Sequence, residues 1–402
     1  MRKQRLVIAG ATLLAATLAM SACGSRGEET PAGTTETKTA KIGVIAPLSG
    51  DLSALGLGIK NSVDLAIKQA NESKAIPGWT LEIDAQDDQA TPDVGKNAAT
   101  KLAGEDDVVG VVGTLNSSVA QSVQPVLSSA GIAMVSPANT NPALTKGANY
   151  ATAPKRAYPT YFRTCTTDDV QGPFAAKYLY GEGITKVATI NDKKAYGAGL
   201  VAAFTEAFKA AGGTIVSAET INPDDKDFSA VIGKVKGASP DAVYYGGEYP
   251  QAGPLAQQMK AAGLNKPLMG GDGIYDPAYI ELAGKTSNGD LATSVGAPTA
   301  TLESAKTFVS DYAAGGYSEP YGAYGAYAYD AANAIIAGLK VSLADAADAK
   351  SALPATVDAI GKASFDGATG PVSFDEYGDT KTKVLTVYKV TDGKWVAAKT
   401  GS

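Results

Sequence analysis

The sequence predicts an α/β protein of two lobes, each a mostly parallel sheet covered by helices, joined by a hinge that the chain crosses more than once. Three observations predict it. At 402 residues the chain exceeds what one ordinary core organises. Short apolar β runs alternate with amphipathic helical stretches, the rhythm of parallel sheets covered on both faces. That rhythm starts near residue 41, restarts after about residue 160, and gives way to two helices beyond about residue 295.

The composition narrows the function classes. Apolar residues make up 45% and charged residues 19%, as in a soluble globular protein. The net charge is −6 and no basic tract lies beyond the N-terminus, which argues against a nucleic-acid partner. Histidine is absent, so Ser-His-Asp and Cys-His centres and His-ligated zinc are excluded. No G-x-S-x-G occurs. The two cysteines are Cys23 and Cys165. Cys23 belongs to the leader described next, and Cys165, in a strand-like run from Tyr161, reads as a buried inert thiol. Neither a cofactor nor a metal is expected.

Residues 1–22 read as a secretory signal, with Arg2, Lys3 and Arg5 ahead of an apolar stretch too short to span a membrane. Its end, Met20-Ser21-Ala22-Cys23, resembles the bacterial lipobox, which implies lipidation of Cys23 and an anchor on the outer face of the cell membrane. Residues 23–40 are polar and lack periodicity, a flexible tether. A buried strand follows at 41–46, then a turn at Pro47-Leu48-Ser49-Gly50. The next helix carries Ile59, Val63, Ala66, Ile67 and Ala70 on one face. A strand over 81–85 leads to Asp87-Asp88, and a helix starts with Thr91 as its cap and Pro92 in its first position.

The stretch from Val108 to Thr145 organises the rest. An apolar run, 108–112, ends in Gly113; the turn Thr114-Leu115-Asn116 opens a helix at Ser117-Ser118. A second strand, 132–135, ends at Ser136-Pro137-Ala138-Asn139-Thr140. Two strand ends therefore meet a helix N-terminus whose N–H groups and dipole favour an anion. Crevices at strand C-termini are where ligands bind in open α/β sheets. The stretch is read as a socket for a small carboxylate.

In the second half, helices are expected near 170–180, 198–211, 228–235 and 251–262, with strands at 187–190, 214–217 and 242–245. Helices near 302–314 and 321–339 return to the first lobe. Residues 370–374 and 384–390 are expected to form a β ribbon closing near the second. Residues 41–160 with 296–375 make the N-terminal lobe, and 161–295 with 376–402 the C-terminal lobe. Lys193-Lys194 and Asp224-Asp225-Lys226-Asp227 read as solvated loop charges. Gly56-Leu57-Gly58 is similar to a dinucleotide loop, but Asn61 replaces the third glycine.

These residues resemble the solute-binding proteins of branched-chain amino acid ABC importers, with the type I periplasmic-binding-protein fold of two Rossmann-like lobes. The likeness covers nearly all of residues 41–395. Its markers are Pro47-Leu48-Ser49-Gly50, Leu115-Asn116-Ser117-Ser118, Val135-Ser136-Pro137-Ala138 with Asn141-Pro142, Tyr196-Gly197, Tyr245-Gly246-Gly247, and Gly370-Pro371-Val372-Ser373-Phe374. The resemblance implies that Ser117 holds a ligand α-carboxylate. It implies that Ala138 (by main chain) and Thr140 (by hydroxyl) contact both backbone charges, that Tyr196 closes over the ligand, and that Asp272 pairs the α-ammonium. A desolvated zwitterion needs both ends matched. Two positions depart from the family pattern. Leu55 stands where an aromatic is common, and Glu248 where a ligand-touching tyrosine is common. Two acids in one cleft repel unless a cation or donor lies between them.

The resemblance thus implies a monomeric extracytoplasmic lipoprotein that captures a small amino acid and docks on a permease with its ATPase subunits. The alternative is a sensor or receptor of the same fold for amino acids or amides. An enzyme would have to work with lysine or carboxylate chemistry, and the acids here are better explained as ammonium partners.

Overall fold

The first strand, β1 (Lys38–Ala46), begins before its apolar run. It pairs in parallel with β2 (Trp79–Asp87) from Lys38 opposite Trp79 to Ala46 opposite Asp87. Residues 38–40, expected in the tether, are therefore strand. Backbone pairing needs no apolar side chains, and Lys38 is fixed besides: its ammonium lies 5.1 Å from the Trp79 ring centre and donates to the carbonyls of Ala346 and Ala347 at 3.1 and 3.0 Å. The computed structural model describes residues 37–402. The signal segment, Cys23 and the rest of the tether lie outside the described residues.

Helix α1 (Ser53–Glu72) joins β1 to β2, and α2 (Pro92–Ala103) leads to β3 (Val108–Gly113). Thr91 is the residue before α2 as expected, but its hydroxyl bonds to the Gln89 carbonyl at 3.1 Å rather than capping the helix. Helix α3 (Ser117–Ser129), β4 (Met134–Ser136), the short α4 (Ala143–Lys146) and β5 (Tyr161–Arg163) complete the first sheet, in the order β2-β1-β3-β4-β5. All its pairings are parallel. Since β5 pairs with β4, the chain leaves this sheet after Arg163, slightly beyond the boundary read from the sequence. Gly56 sits inside α1, where any Cβ would collide with the Pro47 carbonyl, so this glycine serves helix packing and not a phosphate.

The second sheet receives α5 (Asp168–Gly181), β6 (Lys186–Asn191), α6 (Ala195–Ala210), β7 (Thr214–Thr220), α7 (Ser229–Gly237), β8 (Ala242–Gly246), α8 (Tyr249–Ala261), β9 (Leu268–Gly270), α9 (Pro277–Ala283) and β10 (Leu291–Ser294). The chain then returns to the first sheet: α10 (Lys306–Ala314) and α11 (Gly325–Ser342) pack on α1, and α11 also covers β3 and β4 and contacts α12 (Leu353–Gly361). The final segment comes back to the second sheet, whose order is β14-β13-β10-β9-β8-β6-β7. The fold is thus two layered α/β lobes with chain passages after β5, after β10 and before β13.

The tail differs from the expected ribbon. β11 (Ser364–Gly367) and β12 (Gly370–Ser373) form a separate hairpin, while β13 (Leu385–Thr391) pairs antiparallel with β14 (Lys394–Gly401) and with β10. Asp330 fixes the first turn: its carboxylate accepts the N–H groups of Ala368 (2.7 Å) and Thr369 (2.8 Å) and the Thr369 hydroxyl (2.6 Å). The turn Asp392-Gly393, with φ of 51° and 74°, folds β13 onto β14. The core follows the β runs. Ile45, Val111, Val119 and Met134 are buried on one face of the first sheet, and Val187, Phe204, Phe208 and Tyr244 on one face of the second. Each such side chain contributes roughly 1.5–3 kcal/mol by leaving water.

Candidate ligand site

The site is built where the two strand ends of the first sheet meet α3. β3 is buried along its whole length and ends in Gly113, whose φ of 144° suits glycine and whose Cβ would strike the Ile45 carbonyl. The Thr114 hydroxyl then donates to the Asn116 carbonyl at 3.0 Å and tightens the turn. That same carbonyl accepts the Ala120 N–H at 3.0 Å, the first backbone bond of α3. The N–H groups of Ser117, Ser118 and Val119 precede any carbonyl that the helix could offer them. Ser136 ties the neighbouring strand end to this turn. Its hydroxyl donates to the Thr114 carbonyl at 3.1 Å and accepts the N–H groups of Ala138 and Asn139 at 3.2 and 2.9 Å.

Arg163 holds the loop from behind. Fully buried at the end of β5, it donates to the carbonyls of Asn139 (2.7 Å) and Asn141 (2.9 Å) and to the Thr145 hydroxyl. Its Nε lies 2.6 Å from the equally buried Asp379. Despite desolvation, the Arg163 and Lys146 cations hold the Asp379 carboxyl below the usual range. Nearby Cys165 is fully buried, and burial pushes its thiol up, which makes it unreactive.

The second lobe supplies carboxylates. Asp272 follows β9, 3% exposed. Its Oδ1 accepts the Tyr196 hydroxyl (2.8 Å) and the Gln171 amide (2.9 Å), and its Oδ2 accepts the Tyr324 hydroxyl (2.8 Å). The Tyr196 hydroxyl in turn accepts the Gly273 N–H at 3.0 Å, and the Gln171 carbonyl oxygen accepts from Thr293 at 2.7 Å. Burial raises the Asp272 carboxyl above its usual range, and the three donors counter this. No lysine or arginine among the described residues forms an ion pair with it.

Glu248 follows β8 and is held at both oxygens: Oε1 accepts the Asn116 amide at 2.7 Å, and Oε2 lies 3.0 Å from the Lys194 ammonium. Glu248 thus has a cation of its own in Lys194, while Asp272 is held by neutral donors. The expectation of solvated charge holds for exposed Lys193 and fails for Lys194, whose side chain is about one-fifth exposed. Its partner Glu248 follows the neighbouring strand β8, a tertiary pairing that adjacent residues do not reveal. Buried Asp192 accepts the Lys194 N–H at 3.0 Å, and burial, then Glu248, pushes its carboxyl up to about 8.

Six of the expected residues, Leu55, Ser117, Ala138, Tyr196, Glu248 and Asp272, line one narrow hollow. Leu115, Asn116, Gly273 and Tyr324 join them. Thr140 is not in the lining. It is fully buried, and its carbonyl accepts the Asp168 N–H at 2.8 Å. Sequence reasoning missed Asn116, Gln171 and Tyr324 as site residues. Asn116 lies in Leu115-Asn116-Ser117-Ser118, whose local pattern signals only a turn and a helix start, and nothing local marks Gln171 or Tyr324.

Such a hollow, with an anion-favouring helix start on one wall and a buried carboxylate on the other, suits a small zwitterion. The chain belongs to a family of solute-binding proteins: the sequence model described as "Periplasmic binding protein" matches residues 39–394. It is similar to the Leu/Ile/Val-binding protein BraC3 of Rhizobium johnstonii, 36% identical over 359 residues, covering 89% of this chain and 93% of that one. It is also 32% identical to the leucine-, isoleucine-, valine-, threonine-, and alanine-binding protein of Pseudomonas aeruginosa, covering 87% of this chain and 90% of the relative. Among solved structures, the branched-chain amino acid transporter substrate binding protein LivJ of Streptococcus pneumoniae, in complex with isoleucine, superposes with a TM-score of 0.80 at 28% identity. There the match covers 90% of this chain and 99% of the other. No helix among the described residues is long and apolar enough to cross a membrane.

Proposed function

We propose that this protein is the extracytoplasmic solute-binding component of an ABC importer, capturing a small amino acid, branched-chain or otherwise neutral, and delivering it to a permease with its ATPase subunits. One observation carries the reading: Ser117 at the start of α3 and the buried Asp272 line the same hollow. Ser117 and the unpaired N–H groups at the start of α3 receive the α-carboxylate, the Ala138 main chain contacts the ligand's backbone charges, Asp272 takes the α-ammonium, and Tyr196 closes over the ligand while aligning Asp272. Thr140 supports the loop from behind. Leu55, Leu115 and Tyr324 give the side chain apolar surface. The binding arrangement spans both lobes, taken as residues 38–163 with 295–384 and 164–294 with 385–401, so ligand contacts made to both at once favour closure. Cys23 carries the lipid anchor that keeps the monomer at the outer face of the cell membrane.

Titration calorimetry with leucine, isoleucine, valine and threonine tests the reading. Asp272→Asn is expected to weaken binding about a hundredfold or more, the cost of leaving a buried ammonium without its partner, while the variant still melts cooperatively. A folded variant with unchanged affinity would sink the assignment.

A further inference from the structure

The side-chain end of the hollow carries a feature that a purely aliphatic ligand leaves unmatched. An amino acid bears both charges at its α-carbon, so a ligand held by the α3 start and by Asp272 sends its side chain toward the remaining lining: Leu55, Leu115, Asn116, Glu248 and Tyr324. Three of these are apolar or aromatic walls. Asn116 is different. Only 4% exposed, it turns its amide N–H toward Glu248 at 2.7 Å. That bond fixes which way the amide faces, because a carboxylate accepts and cannot donate. Glu248 is itself held by Lys194 at 3.0 Å. The other amide atom, Asn116 Oδ1, is buried and has no donor among the described residues. A buried acceptor without a donor is costly, and the cost is relieved by whatever brings a donor to it.

Resting on the amino-acid reading above, we infer that Asn116 is a specificity-determining residue: its carbonyl oxygen, oriented by Glu248 and Lys194, selects a neutral ligand whose side chain carries a hydrogen-bond donor close to the α-carbon. Threonine and valine have nearly the same shape and differ in a hydroxyl against a methyl. A site that bonds the hydroxyl rejects the analogue that lacks it, whereas an apolar pocket barely separates the two. Lys194 already neutralises Glu248, so the subsite does not call for a cationic side chain.

The test is calorimetry of the full mature chain with threonine, valine, leucine, alanine and lysine, followed by the same panel on Asn116→Leu. The wild type is expected to bind threonine about tenfold tighter than valine, the factor that one hydrogen bond to a buried acceptor contributes. In Asn116→Leu that ratio falls to about one or inverts. Valine binding as tightly as threonine in the wild type overturns the inference and needs no variant, so a poorly folding Asn116→Leu leaves it exposed to refutation. A ratio that survives the substitution, or lysine as the tightest ligand, overturns it equally. Failure of a folded wild type to bind any of the five would instead refute the amino-acid reading itself.

Discussion

The two walls of the hollow solve opposite problems with different materials. The first-lobe wall presents backbone: N–H groups at the start of α3, beside the loop around Ala138 that Ser136 and Arg163 hold from outside the lining. The second-lobe wall presents side-chain carboxylates, Asp272 and Glu248, each held by donors from several elements. Anion recognition built on main chain survives the loss of any one side chain at the surface of the site and depends on what pins the loop. Cation recognition built on one carboxylate depends on that group and on its protonation.

The largest effect that would break this contrast lies behind the first wall. Arg163→Met leaves Asp379 buried with only Lys146, 3.4 Å from its Oδ2, and frees the carbonyls of Asn139 and Asn141. Loss of one member of a buried pair costs about 3 kcal/mol, read as a lower midpoint in urea. The double variant Arg163→Met with Asp379→Leu should regain much of it, and a double variant no better than the single one would show that the loop contacts matter more than the charge.

A smaller effect concerns protonation of the second wall. Burial raises the Asp272 carboxyl, and an ammonium ligand needs it ionised. Affinity is therefore full above the native pKa and lost as pH falls through it, and this loss begins at a higher pH than for an exposed aspartate, whose pKa is about 4. Stability without ligand runs the other way. A carboxyl with a raised native pKa binds its proton more readily folded than unfolded, so its stability contribution shrinks as pH rises from the unfolded value to the native one. Calorimetry across that range should show the acid loss in the wild type and a flat, weak profile in Asp272→Asn; parallel profiles would place the titrating group elsewhere.

The smallest effect sharpens the contrast. Ser117→Ala removes a hydroxyl but leaves every N–H at the start of α3, so affinity should fall only a few-fold, at most about 1 kcal/mol. A loss as large as that of Asp272→Asn would mean that the first wall also relies on side chains.

Much of this was legible in the sequence. The alternation of β runs and amphipathic helices placed both sheets, and Gly113 followed by Ser117 marked the anion-favouring end. Elements with little apolar signal were not. β14 is exposed along most of its length, and residues 38–40 join β1 by pairing with β2 rather than by an apolar run. The site's polar scaffolding escaped for a related reason. Gln171 meets Asp272 across 101 positions, Tyr324 meets it across 52, and Lys194 meets Glu248 across 54. Spacing in a chain reports helix faces and strand faces, whereas these partners are chosen by the packing of whole elements.

The bond between Arg163 and Asp379 spans 216 positions. A polypeptide emerging from the ribosome therefore holds most of both sheets before the group that locks its anion loop has been made. The competence of the site is among the last properties the molecule acquires, and a chain clipped ahead of Asp379 would keep the residues that touch ligand without the clamp that sets them.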